Sequence, residues 1–268
     1  MHGRRGPAFW CLAGFFALFV LFLYGPTLTI LILSFQGPSG GLTFPMNGVS
    51  LHWFKNLFEK QMVGDFYGSF DRSMILGVAT MLVTVVASFS AGLAFRSRFV
   101  GSGVIFYLAI ASLIVPSILI SLGIGLLFRV LDLESAWYSS GFGAHLTWTL
   151  PFGLLIMFAV FNRFDRRYEE AARDAGATGW QTLRYVIVPL CKPGIAIGSI
   201  FIVTIVMGDF VTVRMMSGGQ SASVSLMMMN AMSLLQYPAA AANAVVLLLL
   251  VLFTVAAMMR MVDIRKEL

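Results

Sequence analysis

Charged residues are scarce in this chain. Only 11% of its 268 residues are Asp, Glu, Lys or Arg, whereas a typical soluble domain has about 25%. Hydrophobic residues make up 59% of the chain, and the mean hydropathy is +0.88. A composition of this kind excludes an ordinary soluble globular domain and indicates a protein that lies largely in lipid.

Cysteine and the short motifs of catalysis are also scarce. The two cysteines are Cys11, within an apolar stretch, and Cys191, which is predicted to lie on a cytoplasmic loop. Two such residues imply neither a disulfide framework nor a metal site. The sequence has no G-x-x-x-x-G-K-[ST] phosphate loop and no H-E-x-x-H or C-x-x-C pattern. It therefore predicts no catalytic residues, no metal and no cofactor, and the chain is not expected to be an enzyme.

Long apolar stretches take the place of the missing charges. A helix needs about 20 mostly apolar residues to cross the hydrocarbon core of a bilayer. Backbone polar groups in lipid must bond within their own segment, so such stretches are expected to be helical. Six stretches qualify: 7–33, 74–95, 104–128, 142–161, 195–216 and 239–262. The sequence predicts an all-α membrane protein with six transmembrane helices in one domain, the first of them an uncleaved span.

The distribution of Lys and Arg predicts the orientation of these spans. If both termini are cytoplasmic, thirteen of the eighteen basic residues fall in cytoplasmic segments and five fall in outer segments or outer span ends. Positive residues are enriched on the cytoplasmic side of membrane proteins. Both termini are therefore predicted to be cytoplasmic. Topology alone explains the net charge of +6, and no nucleic-acid partner is expected.

Prolines and one external loop add detail to this arrangement. Pro26, Pro116 and Pro151 are predicted to interrupt and kink their spans. Residues 35–73 form the long external connection, and within it Ser50–Glu59 has the amphipathic pattern of a short helix at the membrane interface.

The internal connection at 163–194 carries most of the chain's charge. Tyr168–Ala175 is rich in helix formers and has two acids in its opening turn, which suits the helix dipole. Gly176 is predicted to end this helix in a tight turn. A second short helix is predicted over Trp180–Val188, ended by Pro189. A charged helix–turn–helix beneath the membrane has the form of an element that docks into a partner's groove.

The same segment carries a family resemblance. Glu170-Ala171-Ala172 is followed after three residues by Gly176 and after nine more by Val-x-Val-Pro, which ends at Pro189. This pattern resembles the EAA loop of the permease subunits of bacterial ABC importers, although the family prefers Ile and Leu at the two valine positions. The end of the first span, the external Ser-Leu-x-Trp-Phe and the Gly-Asp-Phe of the fifth span look like the spermidine/putrescine-type branch. Permeases for opines, aminophosphonates and ferric iron look similar.

The resemblance implies a fold, partners and a place for the chain. The fold is that of a type I ABC importer permease with six transmembrane helices, located in the bacterial cytoplasmic (inner) membrane. The implied partners are a cytoplasmic ABC ATPase dimer, a second permease subunit that is a paralogue, an extracytoplasmic substrate-binding protein and the lipid bilayer. The residues expected to dock against the ATPase are Glu169, Glu170, Ala171, Ala172, Asp174, Gly176, Ala177, Trp180 and Pro189.

A second group of residues is expected along the substrate path. Asp209 is the only carboxylate deep in a predicted span, and a charge there is costly unless it faces a cavity or a partner. It is expected either to attract a cationic substrate or to pair structurally with Arg214 or another polar group. Gly208 beside it and Asn243 in the sixth span are the other path candidates. His145 is expected to be a satisfied hydrogen-bonding residue within the bundle.

Two other classes of protein compete with the importer subunit. An ATPase-independent channel or secondary transporter would use six spans and Asp209 similarly, but the charged helix–turn–helix would then have no explanation. A membrane enzyme would need a catalytic constellation that the sequence does not contain.

Overall fold

A computed structural model describes residues 6–43, 45–59, 64–97, 99–216 and 223–262. Its regular structure, in these ranges, is helical apart from isolated bridge residues, among them the pair Gln36 and Val49. The α-helices are α1 (Pro7–Leu33), α2 (His52–Leu57), α3 (Phe66–Phe95), α4 (Ser102–Ala111), α5 (Ser117–Val130), α6 (Phe142–Asn162), α7 (Arg167–Asp174), α8 (Gly179–Thr182), α9 (Val188–Gly208), α10 (Val211–Met216), α11 (Val224–Ser233) and α12 (Tyr237–Val262).

Within the described residues, five helical segments are long and apolar enough to cross a membrane. Two of these segments include more than one element: a π-helical turn precedes α6, and α8 and a second π-helical turn precede α9. The five segments are Pro7–Leu33, Phe66–Phe95, Trp137–Asn162, Gly179–Gly208 and Tyr237–Arg260. A sixth crossing results if α4 and α5, which meet at an angle of 104°, form one broken span. The all-α membrane fold is thus confirmed, with five or six apolar spans.

The prolines have different effects from those predicted. Pro116 does coincide with a break, because it follows the 3₁₀ turn that ends α4 and directly precedes α5. Pro26 and Pro151, in contrast, lie inside continuous helices, so the prediction that they interrupt their spans is wrong. Membrane helices tolerate proline where local adjustments and neighbouring groups satisfy the carbonyl that it frees.

The chain divides into two compact units. One comprises residues 1–66 and 227–248, as far as they are described, and the other comprises 67–226 and 249–268. In the first unit, α1 buries none of its residues. The loop after it is ordered around the buried side chain of Gln36, which donates to the Gly41 carbonyl and the Thr43 hydroxyl and accepts from the Asn47 N–H. The short helix predicted within Ser50–Glu59 is present there as α2, and its position at the membrane interface stays a prediction.

In the second unit, α3 packs tightly against α6. Thr84 and Thr149 share a buried hydrogen bond of 2.9 Å. A Cβ added at Gly153 would lie 2.8 Å from Thr84 Cγ2, and one added at Gly92 would lie 2.7 Å from the Phe161 ring. The small residues of these helices therefore allow close approach of the backbones, as small residues commonly do in membrane bundles. α6 in turn packs along α9.

The fifth predicted span differs most from the structure. The sequence predicts one helix over 195–216, but α9 ends at Gly208 and the six-residue α10 begins at Val211. Asp209 between them has an extended backbone (φ −81°, ψ 112°). Short acidic side chains hydrogen-bond to nearby backbone N–H groups and so compete with helix continuation. Cys191 was also misplaced, since it lies fully buried within α9 and not on a loop.

Candidate functional site

The predicted helix–turn–helix is present as α7 and α8. Glu169 and Glu170 occupy the first turn of α7, where carboxylates interact favourably with the helix dipole. At the other end, the N–H of Gly176 donates to the Arg173 carbonyl and the N–H of Ala177 donates to the Ala172 carbonyl, at 2.9 and 3.0 Å. These two bonds form a Schellman C-cap, which requires a left-handed residue. Gly176 supplies it with φ +83°.

The second helix begins with a capping box. The N–H of Gln181 donates to the Thr178 hydroxyl at 3.3 Å, and the N–H of Thr178 donates to the Gln181 side-chain oxygen at 2.7 Å. Two N–H groups that lack partners within the helix are satisfied in this way. The turn between α7 and α8 is therefore fixed on both sides, by a Schellman cap before it and a capping box after it.

Pro189 does not end the second helix, contrary to the prediction. α8 continues through a π-helical turn at Leu183–Ile187 directly into α9, so that 179–208 is one helical segment. A proline in a regular helix clashes with the carbonyl four residues before it. The wider π turn changes the hydrogen-bond register at this point, and Pro189 then lies in the first turn of α9, where its missing N–H is least costly.

The docking residues predicted from the sequence form a largely exposed surface. Glu170, Ala171, Asp174, Gly176 and Trp180 are exposed, and Glu169, Ala172, Ala177 and Pro189 are partly buried. Trp180 leaves 67% of its surface exposed. Below this surface, Ile187 and Cys191 pack against Met157 and Phe161 of α6. The helix pair thus rests on the bundle through the π turn and α9, and its outer face is open.

Arg96, directly after α3, also contacts this surface through Glu169, and no motif in the sequence marks it. Its guanidinium forms an ion pair with Glu169, and its carbonyl accepts a hydrogen bond of 2.7 Å from the side chain of Arg166. The guanidinium also lies over the Phe164 and Phe161 rings, 4.8 and 5.5 Å from their centroids. Arg96 and Glu169 are 73 residues apart, so no local pattern reveals this contact.

The second candidate site is the break between α9 and α10. Asp209 Oδ1 accepts hydrogen bonds from the N–H groups of Val211 and Thr212, at 2.9 and 3.3 Å. The backbone carbonyl of Asp209 accepts one of 3.1 Å from the Ser225 hydroxyl. Asp209 is therefore the cap of α10, and it fixes the direction in which the chain leaves α9.

The other carboxylate oxygen of Asp209 faces His145. The distance between Oδ2 and the Nε2 atom of His145 is 3.4 Å, and Oδ2 has no hydrogen-bond partner among the described residues. The ion pairs found in the described ranges do not include one between Arg214 and Asp209. The basic residue nearest the carboxylate is thus a histidine of α6.

The hydrogen bonding of His145 determines the character of this contact. Its Nδ1 lies 2.7 Å from the Gly141 carbonyl, and because a carbonyl only accepts, Nδ1 carries a hydrogen. In a neutral imidazole, Nε2 then holds a lone pair facing the carboxylate. The 3.4 Å contact is attractive only if one further proton lies on one of the two atoms. His145 is fully buried. Its Nδ1 has a hydrogen-bond partner but its Nε2 has none among the described residues, whereas the sequence predicted a histidine with its hydrogen bonds satisfied.

The remaining path candidates are less informative. Gly208 precedes the break, and a Cβ built there would meet nothing within 4 Å. Asn243 is 2% exposed in α12 and belongs to the other unit. The structure thus brings Gly208, Asp209 and His145 together at the break between α9 and α10.

Comparisons with known proteins agree with this architecture. Residues 83–267, more than half of the chain, match the family described as "Binding-protein-dependent transport system inner membrane component". The chain is 26% identical over 206 residues to the spermidine/putrescine transport system permease protein PotC of Escherichia coli (strain K12), covering 76% of each chain. It is 29% identical over 197 residues to PotC of Haemophilus influenzae, covering 74% of this chain and 75% of that one.

A solved structure shows the same fold. A bacterial ABC transporter involved in the import of the acidic polysaccharide alginate contains a chain that superposes with a TM-score of 0.71 and 14% identity, covering 96% of this chain and 94% of that one. At this identity the likeness concerns the fold alone. The family match, in contrast, is to the sequence itself and includes α7, the Gly176 turn, α8 and the Asp209 break. This chain belongs to the family of inner membrane components of binding-protein-dependent transport systems.

Proposed function

We propose that the chain is a permease subunit of an ATP-driven importer to which a binding protein delivers a polyamine-class cation. The observation that carries this proposal is the exposed helix pair α7–α8, which is fixed by its caps and presents Trp180 outward. A tryptophan that is exposed in the free chain beside acidic residues suits a docking surface. Tryptophans that become buried when two proteins bind contribute much of the binding energy at many interfaces. The polyamine class is supported by the similarity to spermidine/putrescine permeases and by the carboxylate of Asp209, whose side chain is 11% exposed.

The proposed partners divide the work. A cytoplasmic ATPase dimer supplies the energy, since the sequence has no phosphate-binding loop of its own. A second permease subunit, a paralogue, completes the path, and an extracytoplasmic binding protein delivers the solute. We place Gly208, Asp209 and Asn243 along the path and α7–α8 in a groove of the ATPase. A fold shared with an alginate importer does not fix the substrate, because function depends on the site that a fold carries.

Copurification tests the central part of this proposal. We expect the affinity-tagged chain, purified from membranes of its own host, to retain an ATP-hydrolysing subunit in fixed proportion. Trp180→Ala should reduce the retained ATPase by about tenfold or more, because truncation of a buried interface tryptophan commonly costs at least 2 kcal/mol. Tyr138→Ala is the control, since Tyr138 is also an exposed aromatic residue, at 58%, but lies outside the helix pair.

Two outcomes would contradict the proposal. If the second permease subunit copurifies with the parent chain while no ATP-hydrolysing protein does, the chain is not part of an ATP-driven importer. Equal retention by Trp180→Ala and the parent would instead remove the α7–α8 face as the docking surface.

The proposed orientation predicts a labelling pattern. Ser39 lies in the loop after α1 and Ala175 at the end of α7, and both are exposed. In a Cys11→Ser background, a cysteine at 39 should react with an impermeant thiol reagent added to spheroplasts, and a cysteine at 175 should react only after permeabilisation. A cysteine at 175 leaves the side chain of Thr178, which caps α8, intact. The reverse pattern would place α7–α8 outside the cell and exclude an ATPase partner there.

A further inference from the structure

The first turn of α7 is bound by one residue that directly follows another helix. Arg96, directly after α3, binds the Glu169 carboxylate through its side chain and the Arg166 side chain through its carbonyl. Arg166 is the residue before α7, and Glu169 lies in the first turn of that helix. Both bonds therefore join the beginning of α7 to the end of α3.

These bonds are important for the position of α7, because the helix has little apolar packing. None of its eight residues is buried, so apolar packing contributes little to fixing the helix. Its connection to the bundle through α8 and the π turn comes at its far end. At the N-terminal end of α7, the other contacts that the structure shows are local ones, between the rings of Tyr168 and Phe164 and between the Arg167 N–H and the Asp165 carboxylate.

Arg96 is well placed to be a stiff link. Its side chain is only 14% exposed, and that of Glu169 is 15% exposed. Ion pairs that are removed from water interact more strongly than exposed ones. The guanidinium is also packed over the Phe164 and Phe161 rings, and Phe161 is part of the buried cluster beneath the helix pair. These ring contacts therefore hold the Arg96 side chain in place beside the glutamate.

The other cation beside Glu169 has a different character. Arg173, one turn further along α7, lies 4.0 Å from the second carboxylate oxygen, and its side chain is 70% exposed. Exposed pairs of this kind contribute little to stability. It also belongs to α7 itself, so it cannot tie that helix to another. Arg173 is therefore a matched control for Arg96.

We infer that Arg96 is a positioning residue for ATP-driven transport, which transmits displacements of α7 to α3 through Glu169. This inference rests on the proposed function, since it assumes that an ATPase moves α7. Arg96 itself is not one of the predicted docking residues, and it contacts that surface through Glu169. Its role is to make α3 follow α7, because α3 in turn packs on α6 through the close contacts at Gly92 and Gly153.

A distance measurement tests the mechanical part independently of ATP hydrolysis. Nitroxide labels would be attached at Ser97→Cys and Arg167→Cys, both exposed, in a Cys11→Ser background of the complete importer. Cys191 is fully buried, and a sample without added cysteines measures any labelling there. We expect a narrow inter-label distance distribution in the parent and in Arg173→Gln, and a broad one in Arg96→Gln. The charge exchange Arg96→Glu with Glu169→Arg should narrow it again, at least in part.

The functional readout is the stimulation of ATP hydrolysis by the loaded binding protein. Arg96→Gln should lower the stimulation by about fivefold or more, in the range typical of coupling between sites, while the unstimulated rate stays within about twofold of the parent. Arg173→Gln removes a cation of α7 without breaking the contact between α7 and Arg96, and it should lower the stimulation much less than Arg96→Gln does.

Each departure from this pattern has a distinct meaning. A parent-like distance distribution in Arg96→Gln, or a broad one with undiminished stimulation, would overturn the inference. A parent complex without any ATPase would overturn the proposed function, and the distance distributions alone would then show whether Arg96 holds α7.

Discussion

Gly176→Val is expected to abolish most of the stimulation of ATP hydrolysis while the chain still inserts and assembles. The Schellman cap of α7 needs a left-handed residue at this position, and Gly176 has φ +83°. A Cβ added there would meet nothing within 4 Å, so the penalty comes from the backbone and not from crowding. Holding a β-branched residue in this region costs roughly 1–3 kcal/mol. We therefore expect about a tenfold decrease in substrate-stimulated hydrolysis by the purified complex.

Two further variants separate backbone strain from surface contact. Gly176→Asn adds a side chain of similar size, but asparagine tolerates the left-handed region, so it should retain considerably more stimulation than valine. Gly179→Ala adds a methyl group on the same surface at a glycine with ordinary φ and open space around it, and it should match the parent. Equal losses for Val and Asn would mean that position 176 contacts the ATPase directly. Parent-level stimulation in Gly176→Val would remove the turn from the coupling mechanism.

The sequence predicts the Gly176 turn well because its signals are local. Two acids, a run of alanines and a glycine specify a capped helix within nine residues. The continuation through Pro189 is not local in the same sense. Proline normally ends a helix, and only the π turn at Leu183–Ile187 changes the register so that the chain continues. Propensities describe regular α-helix, so they give no sign of such a turn.

Tertiary contacts explain the other differences. Hydropathy places 195–216 in one span because a single acid hardly alters the average over a window of about 20 residues. The break arises because the Asp209 carboxylate binds two backbone N–H groups, and a pattern of apolar residues does not encode that choice. The contact of Arg96 with Glu169 and that of His145 with Asp209 join distant parts of the chain. A single sequence gives the residue types at these positions, but it does not give their pairing.

The two carboxylate oxygens of Asp209 have different surroundings, and substitutions can separate their roles. Its Oδ1 caps α10, and its Oδ2 faces His145 and has no hydrogen-bond partner among the described residues. Asparagine caps helices as well as aspartate does. Its amide nitrogen in the place of Oδ2 would also donate to the lone pair of His145 Nε2, so the contact would no longer need a proton. Asp209→Asn should therefore assemble at least as well as the parent.

Alanine at the same position removes the cap as well as the charge. Loss of a capping side chain typically costs about 1 kcal/mol, and two N–H groups of α10 would lose their partner. If Asp209 serves only to shape the break, uptake should fall in Asp209→Ala and persist in Asp209→Asn. If its charge attracts a cationic substrate, uptake should fall in both variants.

We expect Asp209→Asn to lower uptake of a polyamine about tenfold or more, which corresponds to about 1.4 kcal/mol, while the unstimulated ATPase rate is kept. The reason is electrostatic. A largely buried carboxylate, one oxygen of which has no hydrogen-bond partner among the described residues, attracts a cation far more strongly than an amide in the same place. The measurement is uptake by the reconstituted complex, normalised to assembled protein, for the parent and both variants. Uptake by Asp209→Asn within about twofold of the parent, together with a loss in Asp209→Ala, would assign Asp209 to the architecture of the α9–α10 break and remove it from the substrate path.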